Sequence, residues 1–171
     1  MHRLGTDQWQ KAKDKALKQI SDTAVELLDI FAIRASKKGF ACKPMPDEYQ
    51  LFCADFPFEE TPDQLKTIEA TKKDMFSEQP MDRLVCGDVG FGKTEVAMRA
   101  AFIAVASHKQ VVILAPTTLL VHQHVENFRD RFANWPIKIG ELSRFCTAKD
   151  QEGVLTETAQ GNIDILIGTH K

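Results

Sequence analysis

Between Trp9 and about Lys38 the apolar positions recur at the spacing of one helix face. Trp9, Ala16, Ile20, Leu27 and Phe31 follow at alternating gaps of seven and four, and Leu17, Ala24, Leu28 and Ala35 widen the stripe. The pattern predicts a single long amphipathic helix filling most of residues 1–40. Asp7 can cap it, with Gln10 at the capping-box position. Lys37, Lys38 and Gly39 end it, placing cations and then a residue tolerant of positive φ at its carboxyl end. A run of about 30 residues exceeds the mean helix of about 11 or 12, so it suits a linker that bridges domains or lies across one. An ordinary packing helix fits the same stripe. Residues 41–60 mix aromatics and acids with Pro44, Pro46 and Pro57, which predicts a connecting loop.

From residue 61 the pattern changes. Thr61-Pro62-Asp63-Gln64 is a strong helix start, with Thr61 as cap, Pro62 at the first helical position and Gln64 completing a capping box. Leu65, Ile68, Lys72, Met75 and Phe76 follow on one face. Beyond it, strands are predicted at 83–86, 110–115, 137–142 and 163–167, and helices at 94–106, 119–132 and 148–159. This alternation implies an α/β fold with a mainly parallel sheet covered by helices. The apolar runs Val111-Val112-Ile113-Leu114 and Ile163 to Ile167 fit strands buried on both faces, with only Asp164 interrupting.

Composition narrows the class. With 171 residues, 43% hydrophobic, 27% charged and a net charge of -2, the chain reads as one soluble domain with a helical extension. No apolar stretch reaches the roughly 18 residues of a membrane span, and no apolar run follows Met1-His2-Arg3-Leu4-Gly5 to serve as a signal sequence. A cytoplasmic address is therefore expected, and with it reduced thiols at the scattered Cys42, Cys53, Cys86 and Cys146. Lys and Arg exceed Asp and Glu by 8 to 5 over residues 1–40, trail by 4 to 9 over 41–80 and balance at 10 each over 81–171, so bulk charge does not mark a nucleic-acid binder. Any contact with DNA has to come from a local patch or from parts of a larger protein that are absent. His122 and His124 stand two apart and so point to different sides of a helix, which argues against a metal pair. Trp9 and Trp135 read as packing anchors.

Gly87-Asp88-Val89-Gly90-Phe91-Gly92-Lys93-Thr94 carries the strongest chemistry: two glycines five apart, then Lys and Thr, between a predicted strand and a predicted helix. Glycines at this spacing let backbone N–H groups turn inward around a β-phosphate, and the opening helix adds its positive end. Lys93 is placed to meet the β- and γ-phosphates and the Thr94 hydroxyl to ligate Mg²⁺. A nucleoside triphosphate with Mg²⁺ is the expected ligand, with the loop and Glu95 just after it as binding residues. Thr71-Lys72-Lys73-Asp74 resembles a guanine-reading element but precedes the loop too closely, and Lys72 is better explained on the helix that starts at Thr61.

Four runs carry a family resemblance: 56–64, 81–97, Ala115-Pro116-Thr117-Thr118-Leu119-Leu120 and 165–171. With Ala24 to Ile30 and Asn127 to Pro136, they resemble superfamily 2 DNA translocases of the RecG-like branch over essentially the whole chain. The resemblance implies a linker helix leading into the first of two RecA-like motor lobes, spanning 61–171 and incomplete. It further implies an ATP-driven, double-stranded-DNA translocase that displaces stalled RNA polymerase and couples transcription to nucleotide excision repair. Its partners would be double-stranded DNA, RNA polymerase and repair proteins, and a monomer is expected. By position, Phe58 and Gln64 resemble the adenine-reading element. Thr117 and Thr118 match one segment that holds the DNA backbone, Gly168, Thr169 and His170 match a second, and Arg144 is a weaker candidate. The Asp-Glu pair that in such motors binds Mg²⁺ and activates water has no counterpart in this sequence, so a fragment without hydrolytic activity of its own is expected. The rival reading is a stand-alone phosphate-loop switch or interaction module without motor activity.

Overall fold

The computed structural model describes residues 7–170, apart from the side chains of Asp7 and Gln8, so the proposed Asp7 cap lies outside the described residues. The chain divides into two compact units, one of Met1–Phe40 with Glu78–Pro80 and one of Ala41–Ser77 with Met81–Lys171. In the first, helix α1 (Asp7–Ser36) realises the predicted stripe. It stops where the sequence places its terminator. The Gly39 N–H donates to the Glu78 carbonyl at 2.5 Å, and Lys38 pairs with the Glu78 carboxylate at 2.7 Å. Leu17, Ile20, Leu27 and Phe31 remain exposed, and Trp9 is 41% exposed rather than an anchor.

The second unit begins with a correction. Residues 41–60, expected to be a connecting loop, contain helix α2 (Pro46–Ala54). Pro46 is not a breaker here but the first residue of the helix, where its missing N–H costs nothing. Phe52 is fully buried, stacked on Phe102 at 4.4 Å between centroids and tilted against Phe132 at 5.0 Å. Helix α3 (Pro62–Met75) starts as read: Gln64 N–H donates to the Thr61 hydroxyl, and Thr61 N–H donates to the Gln64 amide oxygen at 2.8 Å. Thr71 and Lys72 are ordinary residues of that helix, Thr71 donating to the Thr67 carbonyl and Lys72 pairing with Glu69.

Alternation follows as α4 (Lys93–Ala106), β1 (Val111–Leu114), α5 (Thr118–Arg131), β2 (Ile139–Leu142), α6 (Ala148–Ala159) and β3 (Ile165–Gly168). The three strands form one parallel sheet in the order β1-β3-β2, in a register that sets Leu114, Gly168 and Leu142 level at their carboxyl ends. Ile165 and Ile167 are fully buried beneath Val121, Val125 and Phe128 of α5. Trp135 joins the same core, edge-on to Phe102 at 4.7 Å. On the opposite face α6 lies over Gly140, where an added Cβ would press on Val154. Asp164, the interruption in its apolar run, accepts a bond from the Lys138 N–H at 2.8 Å.

Two strand expectations fail. Residues 83–86 form no strand, and Leu84 is 87% exposed. A strand exists only through its ladder, and Arg83 is instead drawn to Asp74 of α3 at 2.6 Å. Nor is β1 buried on both faces. Val111 and Ile113 meet the core, whereas Val112 and Leu114, alternate in the pleat, are 62% and 67% exposed among the described residues.

Candidate nucleotide-binding cleft and sheet edge

The phosphate loop runs from Gly87 into α4 without a preceding strand. Gly90 and Gly92 adopt φ of 86° and 68°, values only glycine adopts without strain, and Gly92 is the N-cap of α4. The Lys93 ammonium folds back on its own loop, donating to the carbonyls of Gly87 at 2.5 Å and Asp88 at 2.6 Å. Val89 is almost wholly exposed.

A cleft of about 900 Å³ adjoins this loop. Gly90, Phe91, Gly92, Thr94 and Glu95 form one wall and Phe58 and Gln64 another, whereas Gly87, Asp88, Val89 and Lys93 do not line it. Phe58 is exposed and held edge-on to Phe56 at 5.5 Å. Gln64 ties the two walls together, because its amide nitrogen donates to the Phe91 carbonyl at 2.9 Å while its oxygen closes the α3 capping box. A glutamine amide has two donors and two acceptor sites. One of each is used, which leaves one donor and one acceptor, the complement of the N7 and N6 edge of adenine.

An added Cβ on Gly92 would collide with the Gln64 amide. Gly92→Ala is therefore expected to displace Gln64 as well as strain the loop, weakening adenine-nucleotide binding at least tenfold with little change in melting temperature. Titration calorimetry alongside thermal denaturation checks both.

A third wall escaped the sequence reading. Asn127, Asp130, Arg131 and Asn134, from α5 and the turn after it, face the same cleft. Arg131 clamps Glu95 through Nε at 3.1 Å and Nη2 at 3.0 Å, donates to the Phe52 carbonyl at 2.7 Å and lies over the Phe52 ring at 3.8 Å. Glu95 also accepts from Arg99 at 2.8 Å, and Arg99 reaches Glu60 at 2.6 Å. Burial opposes the charge on Arg99, but its bonds to Glu95 and Glu60 raise its pKa above the usual value. The bond from Arg99 holds the Glu60 carboxyl below the ordinary range. The only sequence signal for this network is the i, i+4 spacing of Glu95 and Arg99.

The DNA-backbone candidates share a different place. Because β1, β3 and β2 end level, the residues that follow them leave one edge of the sheet together. Thr117 caps α5, its hydroxyl accepting from the Leu120 N–H, and Thr118 opens that helix. Gly168 packs so closely on the Leu142 carbonyl that a Cβ would not fit. Thr169 N–H donates to that same carbonyl, and His170 follows it. Arg144 projects from a turn built by buried Ser143 and is itself exposed.

Residues 61–171 match the family described as DEAD/DEAH box helicase, and the chain belongs to that family. All 171 residues align at 62% identity with the transcription-repair-coupling factor of Escherichia coli (strain K12) and at 46% with that of Bacillus subtilis (strain 168). The chain spans 15% of the first and 14% of the second. Among solved structures, RecG bound to a three-way DNA junction superposes with a TM-score of 0.77 at 32% identity, covering 83% of this chain and 20% of that one. The α/β unit is accordingly a RecA-like lobe, in a chain that begins with a long helix. Among the described residues no helix is long and apolar enough to cross a membrane.

Proposed function

We propose that this chain supplies the ATP-binding cleft and part of the DNA-backbone surface of the first motor lobe of a double-stranded-DNA translocase. The observation that carries the reading is the Gln64 bridge, which joins an adenine-side segment to a phosphate loop across one cleft. On binding, Lys93 would exchange the carbonyls of Gly87 and Asp88 for the β- and γ-phosphates, a charge-assisted contact stronger than the neutral ones it leaves. Phe58 offers its exposed ring to the base, and Gln64 its remaining donor and acceptor. The Thr94 hydroxyl, in the cleft wall and without a hydrogen-bond partner among the described residues, fits a ligand of Mg²⁺, a cation that takes few protein oxygens and keeps several waters. When bound, Mg²⁺ would neutralise charge at the phosphates.

Thr117, Thr118, Gly168, Thr169 and His170, with Arg144 beside them, would hold the phosphate backbone of one DNA strand at the carboxyl edge of the sheet. The names of the relatives extend the reading to a partner: transcription-repair coupling requires contact with RNA polymerase and with repair proteins. We place this chain in such a motor, working in the cytoplasm.

Phosphoryl transfer depends on positioning and charge stabilisation, and no adjacent Asp-Glu pair ends an apolar strand in these 171 residues. The 171 residues alone are thus expected to bind ADP and ATP weakly without hydrolysing ATP. Calorimetric titration and a phosphate-release assay, with and without duplex DNA, check this. DNA-stimulated turnover would refute the second half, and a folded sample that binds no nucleotide would refute the first.

A further inference from the structure

We infer that Arg131 is a positioning residue for nucleotide capture, holding the first turn of α4, and with it Lys93 and Thr94, in register with the adenine-side segment 55–64. The inference rests on the nucleotide reading of the cleft. Its ground is how the phosphate loop is attached. Residues 81–88 form no strand, the loop is exposed, and among the described residues the Lys93 side chain bonds only to the loop itself. The orientation of Lys93 and Thr94 is therefore set by α4 and by the Gln64 bond to Phe91.

The first turn of α4 is fixed in turn through Glu95. Its carboxylate, 7% exposed, accepts three bonds, two from Arg131 and one from Arg99. Arg99 belongs to the same helix and cannot by itself fix α4 against anything else. It passes the connection to Glu60, on the adenine-side segment. Arg131 comes from another element and grips three things at once: both Glu95 oxygens, the Phe52 carbonyl and the Phe52 ring. Two arginines and two glutamates thus link α2, the adenine-side segment, α4 and α5.

Stability alone is a poor account of this arrangement. A buried ionic network is often no more stable than an apolar replacement of the same volume. Moreover, Nη1 of Arg131 is buried with no hydrogen-bond partner among the described residues, which carries an uncompensated desolvation cost. What the planar fork delivers is direction. It sets the helix that bears the phosphate-binding lysine at a defined angle to the wall that receives the base, so that a bound triphosphate finds both ends of its site in place.

The test uses the intact protein carrying Arg131→Met and Arg131→Lys, with Lys93→Ala as reference. Affinities are measured for ATP and for inorganic tripolyphosphate, which meets the phosphate loop but not the adenine wall. Arg131→Met should weaken ATP about tenfold, leave tripolyphosphate within about twofold, and raise the KM for ATP by about tenfold while kcat changes less than twofold. Arg131→Lys, which keeps the charge but not the fork, should fall between. A variant that merely loosened the fold would lower the melting temperature without this KM-against-kcat split. If Arg131→Met does not fold, the lysine variant carries the test, and Glu95→Gln combined with it should add less than the sum of the two single effects. Unchanged affinity for ATP in Arg131→Met, or an equal loss of tripolyphosphate affinity, while Lys93→Ala still abolishes binding, would overturn the role of Arg131. Wild-type affinity that survives Lys93→Ala would instead overturn the nucleotide reading of the cleft.

Discussion

Lys93→Ala in the intact protein is expected to abolish ATP-driven DNA translocation. The ammonium stands at the mouth of α4 and has no ion pair among the described residues; it is held only by two carbonyls of its own loop. Removing it costs no buried contact, because Lys93 is exposed, so the fold and melting temperature should be unaffected. On the proposed nucleotide reading of the cleft the loss falls instead on the triphosphate, whose charge the lysine would meet. Deleting one such preorganised donor lowers turnover by about a hundredfold to a thousandfold. Affinity for duplex DNA without nucleotide should stay within about twofold, since the sheet-edge segments do not include Lys93. A strand-displacement or triplex-disruption assay reads translocation, and filter binding reads DNA affinity. Near-normal translocation would mean that this loop does not fuel the motor.

Phe52→Ala is expected to have the largest effect on stability. The ring has no exposed surface and packs between Phe102, Phe132 and Trp135, with the Arg131 guanidinium on its face. Truncating a buried Phe costs about 3 to 5 kcal/mol, through lost transfer energy and the cavity left behind. A domain of ordinary stability has about 5 to 15 kcal/mol in all, so the change removes from about a fifth to nearly all of it and should lower the melting midpoint by roughly 10 °C. Thermal denaturation followed by tryptophan fluorescence provides the measurement, because Trp135 lies in the same cluster. A midpoint within a degree or two of wild type would mean that α2 is not part of this core.

That α2 belongs to the core was hidden by its sequence. The prolines that suggested a loop are two flanking residues and an N-terminal helical residue, and nine residues are too few for a periodic stripe to stand out against aromatics on all sides. Helix starts were legible where the side chain that defines them is local, as with the reciprocal Thr61 and Gln64 bonds. The parallel sheet was legible because its apolar runs are spaced by helices of the right length. Residues 83–86 were not, since a strand depends on a neighbour that no local pattern specifies. The glycine turn that opens α4 could be read directly, being one contiguous piece of chain. Its cleft could not, because Arg131 and Asn134 reach it from residues some 40 positions downstream, through a fold that periodicity does not fix.

The level ends of β1, β3 and β2 have a mechanical consequence. Adjacent strands lie about 4.8 Å apart and are bonded along their length, so the segments that leave them cannot shift singly. Gly168 tightens this further, its backbone lying against the Leu142 carbonyl with no room for a side chain. Whatever grips the edge is gripped at several points of one stiff plate. A DNA strand held there would travel with the whole lobe, and a step along the duplex would come from moving the plate rather than from flexing its fingers.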